Sequence, residues 1–163
     1  MNTKTANRRT VQFNSIADLE QELEALQSAS TAGTLRTTGN WTPGQIFQHC
    51  ARFWRSAIDG FPADMKPPLW MKWTAQLLLK RMAVRGSPPP PGIKLPPQAE
   101  ALLPDDSVSF DEGLSELRAQ LDRTKAGDQF AAVSPLFGKL THDQWQRMQL
   151  GHCQLHLGFL HPN

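Results

Sequence analysis

Long hydrophobic runs are missing from this chain of 163 residues. The most apolar stretch, Leu69 to Val84, is only about 16 residues long and is interrupted by Lys72, Lys80 and Arg81, so it is too short and too charged to cross a bilayer. No export signal is evident, and none is expected. Arg8-Arg9 could pass for a twin-arginine start, but Ser15 to Leu26 carries four acids and no apolar core segment. The expectation is a cytoplasmic protein without a membrane span. Cysteine is scarce: Cys50 and Cys153 are the only two, and in that setting they are expected as thiols rather than a structural disulfide. An excess of one charge is absent too, with 17 Lys and Arg against 15 Asp and Glu and a formal net charge of +2. No aromatic ladder runs through the small basic clusters, which speaks against a nucleic-acid partner. Sustained β alternation and internal repeats are likewise missing, and the fold expected is all-α in a single domain over residues 11–163, with residues 1–10 as a flexible tail.

What is present is a series of helix starts. Ser15 with Asp18 resembles a capping arrangement ahead of the apolar spacing Ile16, Leu19, Leu23 and Leu26. Ser28 to Asn40 is rich in Ser, Thr and Gly and predicts a connection, with room for an extended piece over Thr34 to Thr38. Thr42-Pro43 pairs an N-cap hydroxyl with a proline at the first helical position, where its missing N–H costs nothing. The helix predicted from there to about Asp59 turns Ile46, His49, Cys50, Phe53 and Ala57 inward and leaves Phe47 and Trp54 on a flank. Leu69 to Arg85 predicts a third helix, ended by Gly86. Ser87 to Pro104 holds most of the thirteen prolines and predicts an extended, polyproline-like connection across the helices. Ser109 with Glu112 starts a fourth helix to about Lys125, and Ser134 to Gly138 predicts a turn.

The last helix carries the chemistry. Thr141 with Gln144 is a capping box, and Trp145, Met148, His152, Leu155, His156 and Phe159 recur at steps of three and four, which makes one stripe. His152 and His156 are one turn apart, about 6 Å along the axis, so their rings can converge on a common point. Taken singly, a histidine on an apolar face is more often a hydrogen-bonded core residue than a ligand. Two imidazoles buried side by side without a shared partner are costly, however, and His49 on the second helix can face them. Three neutral nitrogens from two helices suit Zn, Ni or Fe as a divalent ion, with a further position for water or substrate. His142 lies about 15 Å before His152 along the axis, too far to join, and His161 is expected on a fraying helix end. A zinc protease is argued against, because Cys153 stands where that motif places its general-base Glu. A di-iron site wants Glu three residues before each histidine, and Gln149 and Cys153 occupy those positions.

The segment Trp41 to Cys50, the turn Pro135-Leu136-Phe137-Gly138-Lys139-Leu140-Thr141 and the His152-x-x-x-His156 helix together resemble the DinB-like superfamily of metal-binding four-helix bundles, in particular a branch described as a domain of unknown function. The resemblance covers the chain from about Arg9 onward. It implies an up-down-down-up bundle, often homodimeric, in which His49, His152 and His156 correspond to the three metal-binding histidines. Relatives of the branch often carry His-Pro where this chain has Ser134-Pro135. Known activities of the superfamily include transfer of low-molecular-weight thiols, thiol-dependent isomerisation and hydrolysis. The resemblance thus implies a divalent-metal enzyme of the thiol-transferase or small-molecule hydrolase type, or else a non-catalytic metal- or ligand-binding bundle. The catalytic residues themselves stay open.

Overall fold

Four capping boxes start the four long helices. A computed structural model describes residues 5–62, 65–92, 97–130 and 133–162, with only the backbone for Pro97 and Gln98. In α1 (Ile16–Thr31) the Ser15 hydroxyl accepts from the Asp18 N–H while the Asp18 carboxylate accepts from the Ser15 N–H. The pairs Thr42 and Gln45, Ser109 and Glu112, and Thr141 and Gln144 do the same for α2 (Pro43–Asp59), α5 (Phe110–Lys125) and α6 (His142–Leu157). Each reciprocal pair satisfies two N–H groups that a helix start leaves without partners. The predicted helix starts stand at these four places, and Gln45 adds a box at α2 that the Thr-Pro signal did not require.

Helix α2 packs against α5 and α6, and α1 packs against the same two. Leu19, Leu23 and Leu26 of α1, Ile46 and Cys50 of α2, Leu117 and Leu121 of α5, and Trp145, Leu150 and Leu157 of α6 are buried in one core. Each fully buried leucine in such a core contributes about 1.5–3 kcal/mol. The start of α2 crosses the start of α5 at van der Waals limits: a Cβ on Gly113 would sit 2.2 Å from the Gly44 carbonyl oxygen, and one on Gly44 would sit 2.3 Å from that of Ser109. Only glycine permits this approach, which fixes the depth of α2 and with it the position of His49.

Several expectations are corrected. Helix α1 continues to Thr31 rather than ending before Ser28, because the Ser28 and Thr31 hydroxyls bond back to the carbonyls of Glu24 and Gln27 and Ala29 is buried. Phe47 and Trp54 lie in the core rather than on a flank, with the Trp54 indole N–H donating to Thr124 Oγ1 at 2.9 Å, while Phe53 is half-buried. The predicted third helix is continuous from Leu69 to Ala83 but changes winding, as α3 (Leu69–Thr74), a π-helical turn (Ala75–Leu79) and α4 (Lys80–Ala83). The proline-rich connection includes a 3-10 turn (Pro97–Leu102) instead of being extended throughout.

The extended piece expected before α2 exists as β1 (Arg36–Thr37). It pairs antiparallel with β2 (Leu160–His161), so His161 sits in a strand opposite Arg36 and not on a helix end. This small ladder ties the entry of α2 to the exit of α6. Arg9 reinforces the tie: its N–H donates to the Gly158 carbonyl at 2.7 Å, and its side chain bonds the Leu160 carbonyl and Glu22. The first four residues of the expected tail lie outside the described residues. Among the described residues the chain is mostly helical with one two-stranded ladder, and no helix there is long and apolar enough to cross a membrane.

Candidate metal centre

His49 projects from α2, and His152 and His156 project one turn apart from α6, as the spacing predicts. One ring nitrogen from each lies within 4.8 Å of the others, so the three could hold a metal ion. The ring centroids form a near-equilateral triangle, 4.9 Å from His49 to His152, 4.6 Å from His49 to His156 and 4.5 Å from His152 to His156. The other two histidines point elsewhere. His142 Nδ1 accepts from the Phe130 N–H at 3.3 Å, and His161 Nε2 lies 3.3 Å from Thr38 Oγ1.

The cluster is electrostatically suited to neutral imidazole. Burial holds His49 below the ordinary histidine value, an effect partly offset by its bond to Leu102 and deepened by Arg52. Burial pushes His152 and His156 further down, and the neighbouring imidazoles oppose any added positive charge. Neutral nitrogens with free lone pairs are what a transition metal requires. The orientation of His49 is set from behind, where Nδ1 donates to the Leu102 carbonyl at 2.7 Å. That bond puts the proton on Nδ1 and leaves Nε2 as the acceptor, the second-layer arrangement usual for ligating histidines. His152 Nδ1 is buried and has no hydrogen-bond partner among the described residues, as is Gln149 Oε1 one turn earlier. Leaving such an atom unpaired costs about 1–3 kcal/mol, a cost that a coordinated cation removes. Donor type, protonation and the orphan nitrogen all fit a divalent ion.

The Leu102 turn is itself anchored. Asp105 N–H donates to Gln48 Oε1 at 2.8 Å, Gln48 Nε2 donates to Asp105 Oδ2 at 3.0 Å, and Arg52 bonds both the Leu103 carbonyl and the Asp105 carboxylate. The Arg52 bond holds the Asp105 carboxyl below its usual range. Residues from one turn of α2 thus clamp the loop that aims His49, also on α2.

Aromatic rings wall the cluster. Trp41 stacks on His156 at 5.6 Å with planes 22° apart and lies 4.8 Å from His49, while Phe53 is 4.3 Å from His152. Trp41 precedes the α2 cap and is held by Thr37, whose hydroxyl donates to its carbonyl. A cavity of about 400 Å³ opens on the three histidines, lined by Trp41, Phe53, Leu79, Met82, Phe137 and Phe159 among others, with Pro89 to Gly92 as one wall. Its lining among the described residues contains no Asp, Glu, Lys or Arg. Sequence periodicity found the histidines and Phe159. It could not find Trp41, Leu102 or Met82, which reach the site from connecting segments and a distant helix.

Cys50 and Cys153 are both free, fully buried and in contact with one another across α2 and α6. Burial, with the neighbouring thiol, pushes the Cys50 thiol well up, so it stays protonated. Neither joins the histidine cluster, and both are free thiols as expected, behaving as small buried residues.

A family model described as "Protein of unknown function (DUF1569)" matches residues 5–163, and the chain belongs to that family. No curated protein and no solved structure matches it.

Proposed function

We propose that this protein is a divalent-metal-dependent enzyme of the DinB-like type that transfers a low-molecular-weight thiol to an apolar electrophile. The observation that carries it is the apolar cavity of about 400 Å³ built directly on three convergent neutral imidazoles. A stability site is normally sealed by its ligands, whereas this one faces a space large enough for a small molecule. The order of the histidines, one on α2 and two on α6, and the mutual packing of α1, α2, α5 and α6 support the DinB-like assignment with its up-down-down-up bundle. The same assignment implies a homodimer, and a cytoplasmic setting rests on the sequence showing no evident export signal.

His49, His152 and His156 would hold the ion. When bound, zinc, nickel or iron supplies Lewis acidity that lowers the pKa of a thiol or a water brought to it. Of the two reactions, thiol transfer fits better. Thiols have an ordinary pKa near 8.5 and need only a small shift at neutral pH, whereas hydrolysis is served by a carboxylate base. No Asp or Glu lines the cavity among the described residues. The chain's own residues then position and desolvate: Trp41, Phe53, Met82 and Phe159 bury the apolar body of the acceptor and exclude water from it, and the Leu102 carbonyl keeps the His49 proton on Nδ1.

Protein loaded with each metal in turn, given a panel of small thiols and an uncharged alkyl or aryl halide, is expected to form the thioether as the carbon–halogen bond breaks, releasing halide and the thiol proton to water, with loss of activity in His49→Ala. Turnover of esters or amides in place of thiol transfer would establish the hydrolase. Silence across both panels by protein shown to contain metal would establish a non-catalytic metal-binding helical protein.

A further inference from the structure

The helix Leu69–Ala83 has two apolar faces, and only one is used by the body of the protein. Ala75 is buried against the body, and Leu79, Met82 and Ala83 line the cavity. On the outer side Trp70, Trp73 and Leu77 are 68, 76 and 83 % exposed, with Leu69 and Leu78 beside them at 74 and 69 %. Trp70, Trp73 and Leu77 are spaced three and four apart and form one stripe. Five large apolar side chains held in water on a single helix mark an interaction surface rather than scattered surface apolarity.

The charge around that stripe indicates what covers it. From Met65 to Ala99 the chain has no acidic residue and six basic ones, Lys66, Lys72, Lys80, Arg81, Arg85 and Lys94. Removing those six from the chain's 17 leaves 11 basic against 15 acidic residues, so the rest of the molecule is net −4 and this stretch alone is +6. Elsewhere Arg9, Arg52, Arg55, Arg123 and Lys125 are ion-paired with carboxylates. Lys66, Lys72, Arg81 and Arg85 form no ion pair among the described residues, and Lys80 donates to the Phe137 carbonyl at 2.8 Å. A second copy is a poor cover. A two-fold contact through this helix brings Lys72 and Arg81 toward their own images, with no carboxylate in the segment to meet them. An anionic bilayer offers both complements at once: phosphates for the cations and the headgroup boundary for Trp and Leu.

We propose that the helix Leu69–Ala83 seats the protein on an anionic lipid surface. Trp70, Trp73 and Leu77 enter the headgroup boundary while Lys66, Lys72, Arg81 and Arg85 lie at the phosphates. The helix rests on the surface and does not cross it, in keeping with its length and charge. Its inner side walls the cavity, so the lipid surface stands roughly one helix diameter, about 10 Å, from that wall. An apolar solute partitioned into the bilayer is thereby concentrated beside the candidate site. The lipid contact is independent of the proposed reaction.

The full chain, without added metal, is to be sedimented with phosphatidylcholine vesicles and with vesicles in which about a quarter of the lipid is phosphatidylglycerol, in about 0.1 M salt. Binding to the anionic vesicles with a blue shift of tryptophan emission is expected, weakened about tenfold or more on neutral vesicles, in Trp73→Ser/Leu77→Ser and in Lys72→Glu/Arg81→Glu. Trp73, Leu77 and Arg81 are exposed and Lys72 is half-buried, and unchanged circular dichroism confirms that the variants remain folded. The proposal is overturned if the wild type stays in the supernatant with anionic vesicles, or if the Trp73→Ser/Leu77→Ser variant binds as well as the wild type. A wild type that is dimeric and ignores vesicles, with the same variant monomeric, would instead assign the face to a second copy.

Discussion

His49 Nδ1 lies 2.7 Å from the carbonyl oxygen of Leu102, fifty-three positions away along the chain. Through it, a proline-rich segment with little regular structure fixes the tautomer of a residue on a buried helix. The loop in turn is held by Gln48, Arg52 and Asp105. Asp105→Ala removes the carboxylate that accepts from both side chains, leaving Gln48 bonded to Glu116 and Arg52 to the Leu103 carbonyl. The loop carbonyl is then less firmly placed, and divalent-metal affinity should fall about threefold to tenfold, less than the 10–100-fold typical of a direct second-layer partner. Isothermal titration of the metal-free variant measures this. Affinity equal to the wild type would mean that the Leu102 contact does not depend on the clamp.

Acid should destabilise the metal-free protein in a window that belongs to the histidines. The folded-state values of His49, His152 and His156 are depressed below 6.5 by burial. Below pH 6.5 the unfolded chain therefore binds protons that the folded chain refuses, so stability rises with pH there and is lost as pH falls toward the folded values. The carboxylates with depressed values, Asp18, Asp59, Asp105 and Glu112, act only lower, since their unfolded values are 3.8 for Asp and 4.5 for Glu. The melting temperature should decline from about pH 6.5 to about pH 5 and the decline should be shallower in His156→Ala. A flat profile over that interval in the metal-free wild type contradicts the buried neutral cluster.

The histidine geometry is largely legible in the sequence, because a cap followed by steps of three and four fixes both where a helix begins and which way its residues face. His49, His152 and His156 each lie one or two turns from apolar anchors on their own helices, so local periodicity was enough. The stripe that turns His49 inward also misplaces Phe47 and Trp54. A single inward stripe describes α2 as if it had one neighbour, whereas it packs on both α5 and α6 and needs a wider buried arc. The Leu102 carbonyl, Trp41 and the cavity wall from Met82 depend on how connections cross the helices, and no local pattern encodes that. The exposure of Trp70, Trp73 and Leu77 depends likewise on which side of the helix Leu69–Ala83 the body covers, which local composition leaves open.

At the crossing of α2 and α5, Gly113→Ala places a methyl group 2.2 Å from the Gly44 carbonyl oxygen, against backbone that cannot yield without moving a helix. A loss of about 2 kcal/mol or more is expected in urea denaturation, at the upper end for overpacking. A loss below about 0.5 kcal/mol would show that the two helices can separate at little cost.

The two thiols should be dispensable for metal. Cys50→Ala and Cys153→Ala each remove a fully buried sulfur from the core and should cost on the order of 1 kcal/mol in stability while leaving the bound-metal content unchanged. Loss of metal in either folded variant would bring sulfur into the ligand set.

The most direct test is the metal content of untagged protein, measured by elemental analysis on the wild type, His49→Ala and His152→Ala, with folding confirmed by circular dichroism. The convergence of three ring nitrogens within 4.8 Å predicts close to one divalent ion per wild-type chain and its loss in both variants. Equal trace metal in all three proteins, after refolding or incubation with zinc, nickel and iron, would contradict it.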